Sequence, residues 1–410
     1  MHRLRTTAII GLGVLAGCGA LKTRNALPAS AGESATIDGF NHVRYWGDVI
    51  DGGLQESMVE SWHQEGAYRL RTTGEQTVAE EASYLAISGG GQDGAFGAGL
   101  LNGWTASGKR PVFKVVTGIS TGALICPFAF LGPDYDKPLR EVYTTVNMKD
   151  IAVLRGLFDL LRGDSAYNTA PLVKLVEKCF THEMIDKIAE EHRKGRRLFV
   201  GTTFLDAQRP IVWDMGKIAC SSSPKRDELF RKVLLASSAI PGAFSPVYID
   251  VIGSDGKPYD ELHVDGGVTR EMFLMPSELR LFELRARQGI TRKTHLYVLR
   301  NSRLEPAYDA VKPKIAPIAE ASIATLIKAQ AMGDIVQLFD EAMTDDMSFH
   351  LASIPPDIAD DSTSMFDSQY MARLFDRGYE IGSVGDAWQR SPHDWRRGLL
   401  PKPPTTRPTD

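Results

Sequence analysis

The sequence predicts an α/β fold built on a mainly parallel sheet with helices on its faces. Two apolar runs of strand length, Tyr84–Ser88 and Val112–Thr117, carry this reading. Each leads through a turn into an apolar helical pattern, Ala95–Thr105 and Thr121–Leu131. Consecutive strand–turn–helix units imply parallel strands whose helices cover the sheet. Composition agrees: of 410 residues, 43% are hydrophobic and 24% charged, the ordinary usage of a folded soluble chain. A net charge of −4 offers no basic face to nucleic acid. Cys18, Cys126, Cys179 and Cys220 make neither a CxxC pair nor a metal-ligand spacing, which excludes a cysteine-rich zinc site; no metal and no organic cofactor is expected.

In chain order, Arg3 and Arg5 precede an apolar run of about 10 residues, too short to cross roughly 30 Å of hydrocarbon. Residues 1–17 therefore read as an export signal. Their end, Leu15-Ala16-Gly17-Cys18, resembles the lipobox of bacterial lipoproteins. The resemblance implies cleavage before Cys18, acylation of Cys18 and a lipid anchor in the bacterial cell envelope. Gly19 stands where an Asp would favour inner-membrane retention, which points to the outer membrane. Residues 18–38 are small and polar and read as a flexible tether. Residues 39–82 read as an N-terminal extension, helical around Leu54–Gly66.

After the two strand–helix units, Leu154–Leu161 reads as core in preference to an acyl-binding wall or an interfacial lid. Pro171–His192 reads as one helix. Leu198–Phe204 and Pro210–Asp214 read as strands, and Asp227–Ser237 as a helix stopped by Pro241. Leu262–Asp265 and His295–Leu299 are further strands, followed by helices near Ile315–Met343 and Ser368–Ile381. The expected division is a first domain over 83–270, a C-terminal α/β extension packed on it over 271–390, and a disordered Pro-rich tail over 391–410.

Three pieces carry chemistry. Gly118-Ile119-Ser120-Thr121-Gly122 is a G-x-S-x-G between a buried strand and an apolar helix. There the glycines allow a sharp turn that projects the Ser hydroxyl beside the positive end of the helix. Gly89-Gly90-Gly91-Gln92-Asp93-Gly94 offers bare backbone N–H groups to an anion, either an oxyanion or a pyrophosphate, unless it is a plain turn. A dinucleotide would need an acidic residue about 20 positions later, and no Asp or Glu occurs from Gly94 to Pro133. No P-loop motif is present. Asp265-Gly266-Gly267 follows an apolar strand, which would place a carboxylate at the site side of a parallel sheet, although D-G-G is also a common turn.

The ordered set of triple-glycine loop, G-x-S-x-G and D-G-G resembles the patatin-like phospholipase family. Ala236-Ser237-Ser238-Ala239-Ile240-Pro241, followed by Phe244-Ser245-Pro246, is similar to that family's segment before its D-G-G. The resemblance covers roughly Ser83–Val268. It implies a three-layer α/β/α sandwich, Ser120 as nucleophile, Asp265 as its base, and Gly89, Gly90 and Gly91 as oxyanion donors. One departure is Asp93, where the family commonly has Lys or Arg; it either caps the helix from Gly94 or competes with the oxyanion for the same N–H groups.

A Ser–His–Asp arrangement remains open in chain order, because His295, His350 and His393 follow Asp265, and His263 shares a strand face with it. All four read more simply as structural or surface residues. The expected activity is hydrolysis of acyl esters of phospholipids or lysophospholipids through an acyl-serine. The expected partners are that substrate and a membrane surface reached through the lipid anchor. The alternatives are an acyltransferase with the same dyad, or a non-catalytic envelope lipoprotein that binds lipid or protein.

Overall fold

Alternate residues of the buried strand Glu81–Ile87 enter different cores, and that alternation sets the architecture. Leu85 and Ile87 join one apolar cluster, while Tyr84 and Ala86 join another. A sheet buried on both faces needs a helical layer on each. A computed structural model describes residues 24–156, 164–276, 279–305, 310–385 and 388–392. Cys18, the segment 1–17, most of Leu154–Leu161, His393 and the end of the tail lie outside the described residues.

In chain order the elements are β1 (Arg44–Trp46), α1 (Gly52–Thr73), β2 (Glu81–Ile87), α2 (Gly94–Ala106), β3 (Phe113–Gly118), α3 (Thr121–Leu131) and α4 (Asp136–Thr145). Then come β4 (Val153–Leu154), β5 (Tyr167–Asn168), α5 (Ala170–Cys179), α6 (His182–Arg193), β6 (Arg197–Phe204), β7 (Arg209–Asp214) and α7 (Arg226–Ser237). The chain continues with β8 (Val247–Ile252), β9 (Pro258–Asp265), β10 (Lys293–Arg303), α8 (Ile315–Thr344), β11 (Met347–Ile354) and α9 (Ser368–Val384).

Nine of these strands form one sheet, in which β11, β10, β2, β3 and β6 are mutually parallel neighbours. β7 and β9 both pair antiparallel with β6, β1 adds to β7, and β8 to β9. Helices α2 to α7 and α9 pack on one face, and α1 and α8 on the other. This is a three-layer α/β/α sandwich with a mostly parallel sheet.

Several expectations are corrected. Pro171–His192 is two helices, because Phe180 ends α5 and the Thr181 hydroxyl caps α6 by accepting from the Met184 N–H. Val153 and Leu154 are exposed, so the described start of Leu154–Leu161 is not core. The tether is bound from Arg24 onward: Ala26 bridges Asp260, Thr36 bridges Ile252, and Leu27, Ala31 and Ile37 are buried. The C-terminal extension supplies strands to the same sheet, since β10 lies directly against β2.

Helix α9 reaches the glycine loop by an unusually close approach to α2. A Cβ at Gly99 would collide with the Phe375 carbonyl, and one at Gly378 with the Phe96 carbonyl. Gly103 and Gly382 repeat the contact one turn along. Small residues at this spacing let two helix backbones touch. The contact places the start of α9 beside residues 91–93, where the Gln92 side chain accepts from the Asp367 N–H at 3.1 Å.

Candidate active site

The turn after β3 forces Ser120 into a conformation that side chains rarely adopt, φ 55° and ψ −125°. Such strain persists only where the surroundings impose it. Here they do. A Cβ at Gly118 would strike the Gly122 carbonyl, and one at Gly122 would strike the Ile87 carbonyl of β2. The Ser120 N–H is held by Ser237 Oγ at 2.9 Å, and that hydroxyl donates in turn to the Gly201 carbonyl at 2.7 Å. Ser120 thus sits at the N-terminus of α3, tied to β6 through the end of α7.

Strand register brings Asp265 to the same place. Gly118 pairs with Val200 of β6, and Thr202 of β6 pairs with Asp265 of β9. β9 runs antiparallel to β6, so it enters from beyond the sheet edge and ends level with the Ser120 turn. This differs from the expected parallel strand, although the carboxylate still arrives at the C-terminal edge of the parallel strands. The Asp265 N–H donates to the Ala239 carbonyl at 2.9 Å, so the segment before Pro241 fixes both residues.

The Asp265 carboxylate accepts from the Gly267 N–H at 2.8 Å and lies near enough to the Ser120 hydroxyl for that group to favour its charged form. Burial pushes the Asp265 pKa up to about 6, against the opposing pull of those two donors. Among the described residues no histidine acts on it. His263 is buried between Thr202 and Glu261, at 3.0 Å from each. His295 and His350 face one another across β10 and β11, near the opposite end of those strands.

The glycine loop lies beside the Ser120 turn. Of its three expected oxyanion donors, Gly89 is corrected: its N–H points to the Glu271 carbonyl at 3.3 Å. The N–H groups of Gly90 and Gly91 meet no acceptor among the described residues. Asp93 does not cap α2. Its carboxylate instead accepts from the Tyr370 hydroxyl at 3.1 Å, and burial raises its pKa to about 7.

Glu271 is the residue that sequence reasoning missed. Its carboxylate lies 3.0 Å from where a Gly89 Cβ would be and 2.5 Å from a Gly267 Cβ; the Gly89 position is itself 3.2 Å from Ser120 Cβ. Burial, then the Asp265 charge, raises its pKa to about 8. Asp334 of α8 holds the Glu271 N–H at 2.7 Å, and Arg300 of β10 faces both carboxylates. No motif marks Glu271, because its proximity arises only when β10 and α8 close around the site. Among the described residues no cluster of His, Cys, Asp and Glu is arranged to hold a metal ion.

An apolar pocket starts one residue from Ser120, lined by Thr121, Leu124, Phe128, Tyr143, Val176 and Met371. It shares Phe128, Val142 and Leu175 with a neighbouring cleft of about 340 Å³. The pocket itself holds only about 50 Å³, so what the arrangement offers directly is an activated hydroxyl next to a pair of bare amides.

Residues 85–276 match the family model described as Patatin-like phospholipase. No curated protein matches the chain. Among solved structures, the chain is similar to VipD from Legionella pneumophila, at 12% identity and a TM-score of 0.38, over 75% of this chain and 67% of that one. It is also similar to the full-length SpcU–ExoU complex from the type III secretion system of Pseudomonas aeruginosa, at 11% identity and a TM-score of 0.33. That likeness covers 75% of this chain and 52% of the other. Similarities this weak carry no argument about activity.

Proposed function

Residues 85–276 form a patatin-like phospholipase domain, and from that premise we propose that the protein is a serine esterase that cleaves phospholipid or lysophospholipid acyl esters with Ser120 and Asp265. The observation that carries this reading is the strained Ser120 turn set beside the buried Asp265 carboxylate, whose charge the Ser120 hydroxyl favours. Ser120 Oγ attacks the ester carbonyl while Asp265 takes its proton. The Gly90 and Gly91 N–H groups and the N-terminus of α3 stabilise the oxyanion. Asp265 returns the proton to the leaving alkoxide, and water, deprotonated by the same carboxylate, releases the acid from acyl-Ser120. Acylation of Cys18 would hold the enzyme in the cell envelope.

Labelling with a fluorophosphonate tests the reading. Wild type is expected to react at Ser120, and Ser120→Ala is expected to lose both the label and ester turnover. Full turnover by Ser120→Ala would refute the assignment, and product analysis with an alcohol acceptor separates hydrolysis from acyl transfer.

The two carboxyl groups also predict a pH profile. Asp265 must be ionised to act as base, so kcat/KM should rise with pH through about 6. Glu271 ionises near 8 and then places a second negative charge beside the glycine loop, where the oxyanion forms. Activity should fall there, and Glu271→Gln should remove the alkaline fall while keeping the acid limb. An unchanged profile in that variant would exclude Glu271 from the site's electrostatics.

A further inference from the structure

Helix α8 is buried along only half its length. Ala331, Ile335, Leu338 and Ala342 pack beneath the sheet. Its first turns are apolar yet exposed: Ile315 is 91% exposed, Ile318 50%, Ile323 57%, Leu326 69% and Ile327 37%. At roughly 100° per residue these five side chains share one arc of about 180°. A contiguous apolar surface of this kind marks an interaction site. Lys312 and Lys314 stand just before it.

The position of this half-helix identifies its occupant. α8 leads from the end of β10 back to the start of the parallel strand β11, so it crosses the sheet from the C-terminal edge to the N-terminal edge. Asp334 marks the level of the site, through its bond to the Glu271 N–H. The stretch from Ile315 to Asp334 is about 28 Å of helix, directed outward past the edge that carries Ser120. Arg24 lies at the same edge, paired with Asp206 just beyond β6 and with Asp260. Cys18 precedes Arg24 by a stretch that reaches at most about 21 Å. An acyl group on Cys18 would thus leave the protein from the same edge of the sheet past which α8 projects.

We propose that residues 315–327 dock into a phospholipid bilayer, with the apolar arc among the acyl chains and Lys312 and Lys314 against the phosphates. No helix among the described residues is long and apolar enough to cross a membrane, so α8 lies in the interface. Paired lysines at the entrance favour an anionic lipid surface over a second copy of the same chain. What docking delivers, lipid to Ser120, rests on the function proposed above.

The test is sedimentation with phosphatidylcholine–phosphatidylglycerol vesicles. The full chain carries Cys18→Ser and Ser120→Ala, so that neither an acyl anchor nor turnover contributes. Adding Ile323→Asp with Leu326→Asp should lower the vesicle partition coefficient about tenfold or more, and Lys312→Glu with Lys314→Glu should weaken binding to the anionic vesicles selectively. In the chain with Ser120 intact, the double Asp variant should hydrolyse a soluble short-chain ester normally and vesicle lipid poorly. Equal partition of parent and variant, or no binding by the parent, overturns the proposal. So does a parent dimer that the Asp variant converts to monomer without change in vesicle partition, which assigns the face to a second copy. Absence of soluble-ester turnover with vesicle partition intact would sink the esterase reading and leave docking standing.

Discussion

Asp265→Asn is expected to lower ester turnover by about 10²–10⁴-fold, the usual contribution of a positioned general base, while making the protein more stable at neutral pH. The two effects share one cause. Burial raises the carboxyl pKa from its ordinary value near 4 to about 6, so the folded state holds the proton more tightly than the unfolded chain does. The stability this contributes is present in full below about pH 4 and is lost as pH rises through about 6. Above that, the protein folds around an ionised group that burial disfavours. An Asn can still accept from the Gly267 N–H through its one oxygen and turn its amide NH2 toward the Ser120 oxygen, so it keeps the shape without the charge. A shift of this size corresponds to roughly 1–3 kcal/mol. Denaturant unfolding should show Asp265→Asn exceeding wild type at pH 8 and matching it below pH 4. A variant that loses activity and stability together at pH 8 would mean that the carboxylate holds the fold instead of straining it.

Much of the fold was legible because its signals are local. β2, β3, α2 and α3 carry mostly apolar runs bounded by glycine turns, and the described ends of α3 are those that the sequence predicts. Elements that depend on partners were not legible. β1 is three residues long and exists because it adds to β7. β11 follows α8 without a turn motif and is defined by its pairing with β10. The site shows the same division. Ser120, Asp265, Gly90 and Gly91 sit in motifs whose turns can be read from glycine positions. Ser237 lies in a recognisable segment, yet its grip on the Ser120 N–H depends on how α7 meets β6. Gly89 looked equivalent to Gly90 and Gly91, but the Glu271 carbonyl, brought in from 182 positions away in the chain, occupies its N–H. The family model ends at residue 276, whereas β10, α8 and α9 supply Asn301, Asp334 and Tyr370 to the surroundings of the site.

Gly90→Ala is expected to lower kcat by about 10²–10³-fold with a smaller change in KM, the signature of a lost oxyanion donor. Gly90 has φ 144°, a region that L side chains rarely adopt, and its added Cβ would enter the carbonyl oxygen of Asn301. That carbonyl has no room to retreat. Asn301 is fixed to the end of β2 twice, through its N–H to Ser88 Oγ and its side-chain amide to the Ser88 carbonyl, both at 2.9 Å. The loop must therefore rotate, and rotation carries the Gly90 and Gly91 N–H groups away from the Ser120 turn. Gly91 provides the contrast. Its φ is 56°, a left-handed conformation, and nothing lies within 4 Å of its added Cβ. Gly91→Ala should cost only about 1–2 kcal/mol of backbone strain and retain most of the rate. Steady-state kinetics on a soluble ester, with thermal melts of both variants, measures the difference. Equal loss of kcat in the two variants would mean that the loop responds to any side chain, and that the Asn301 contact does not set the position of the donors.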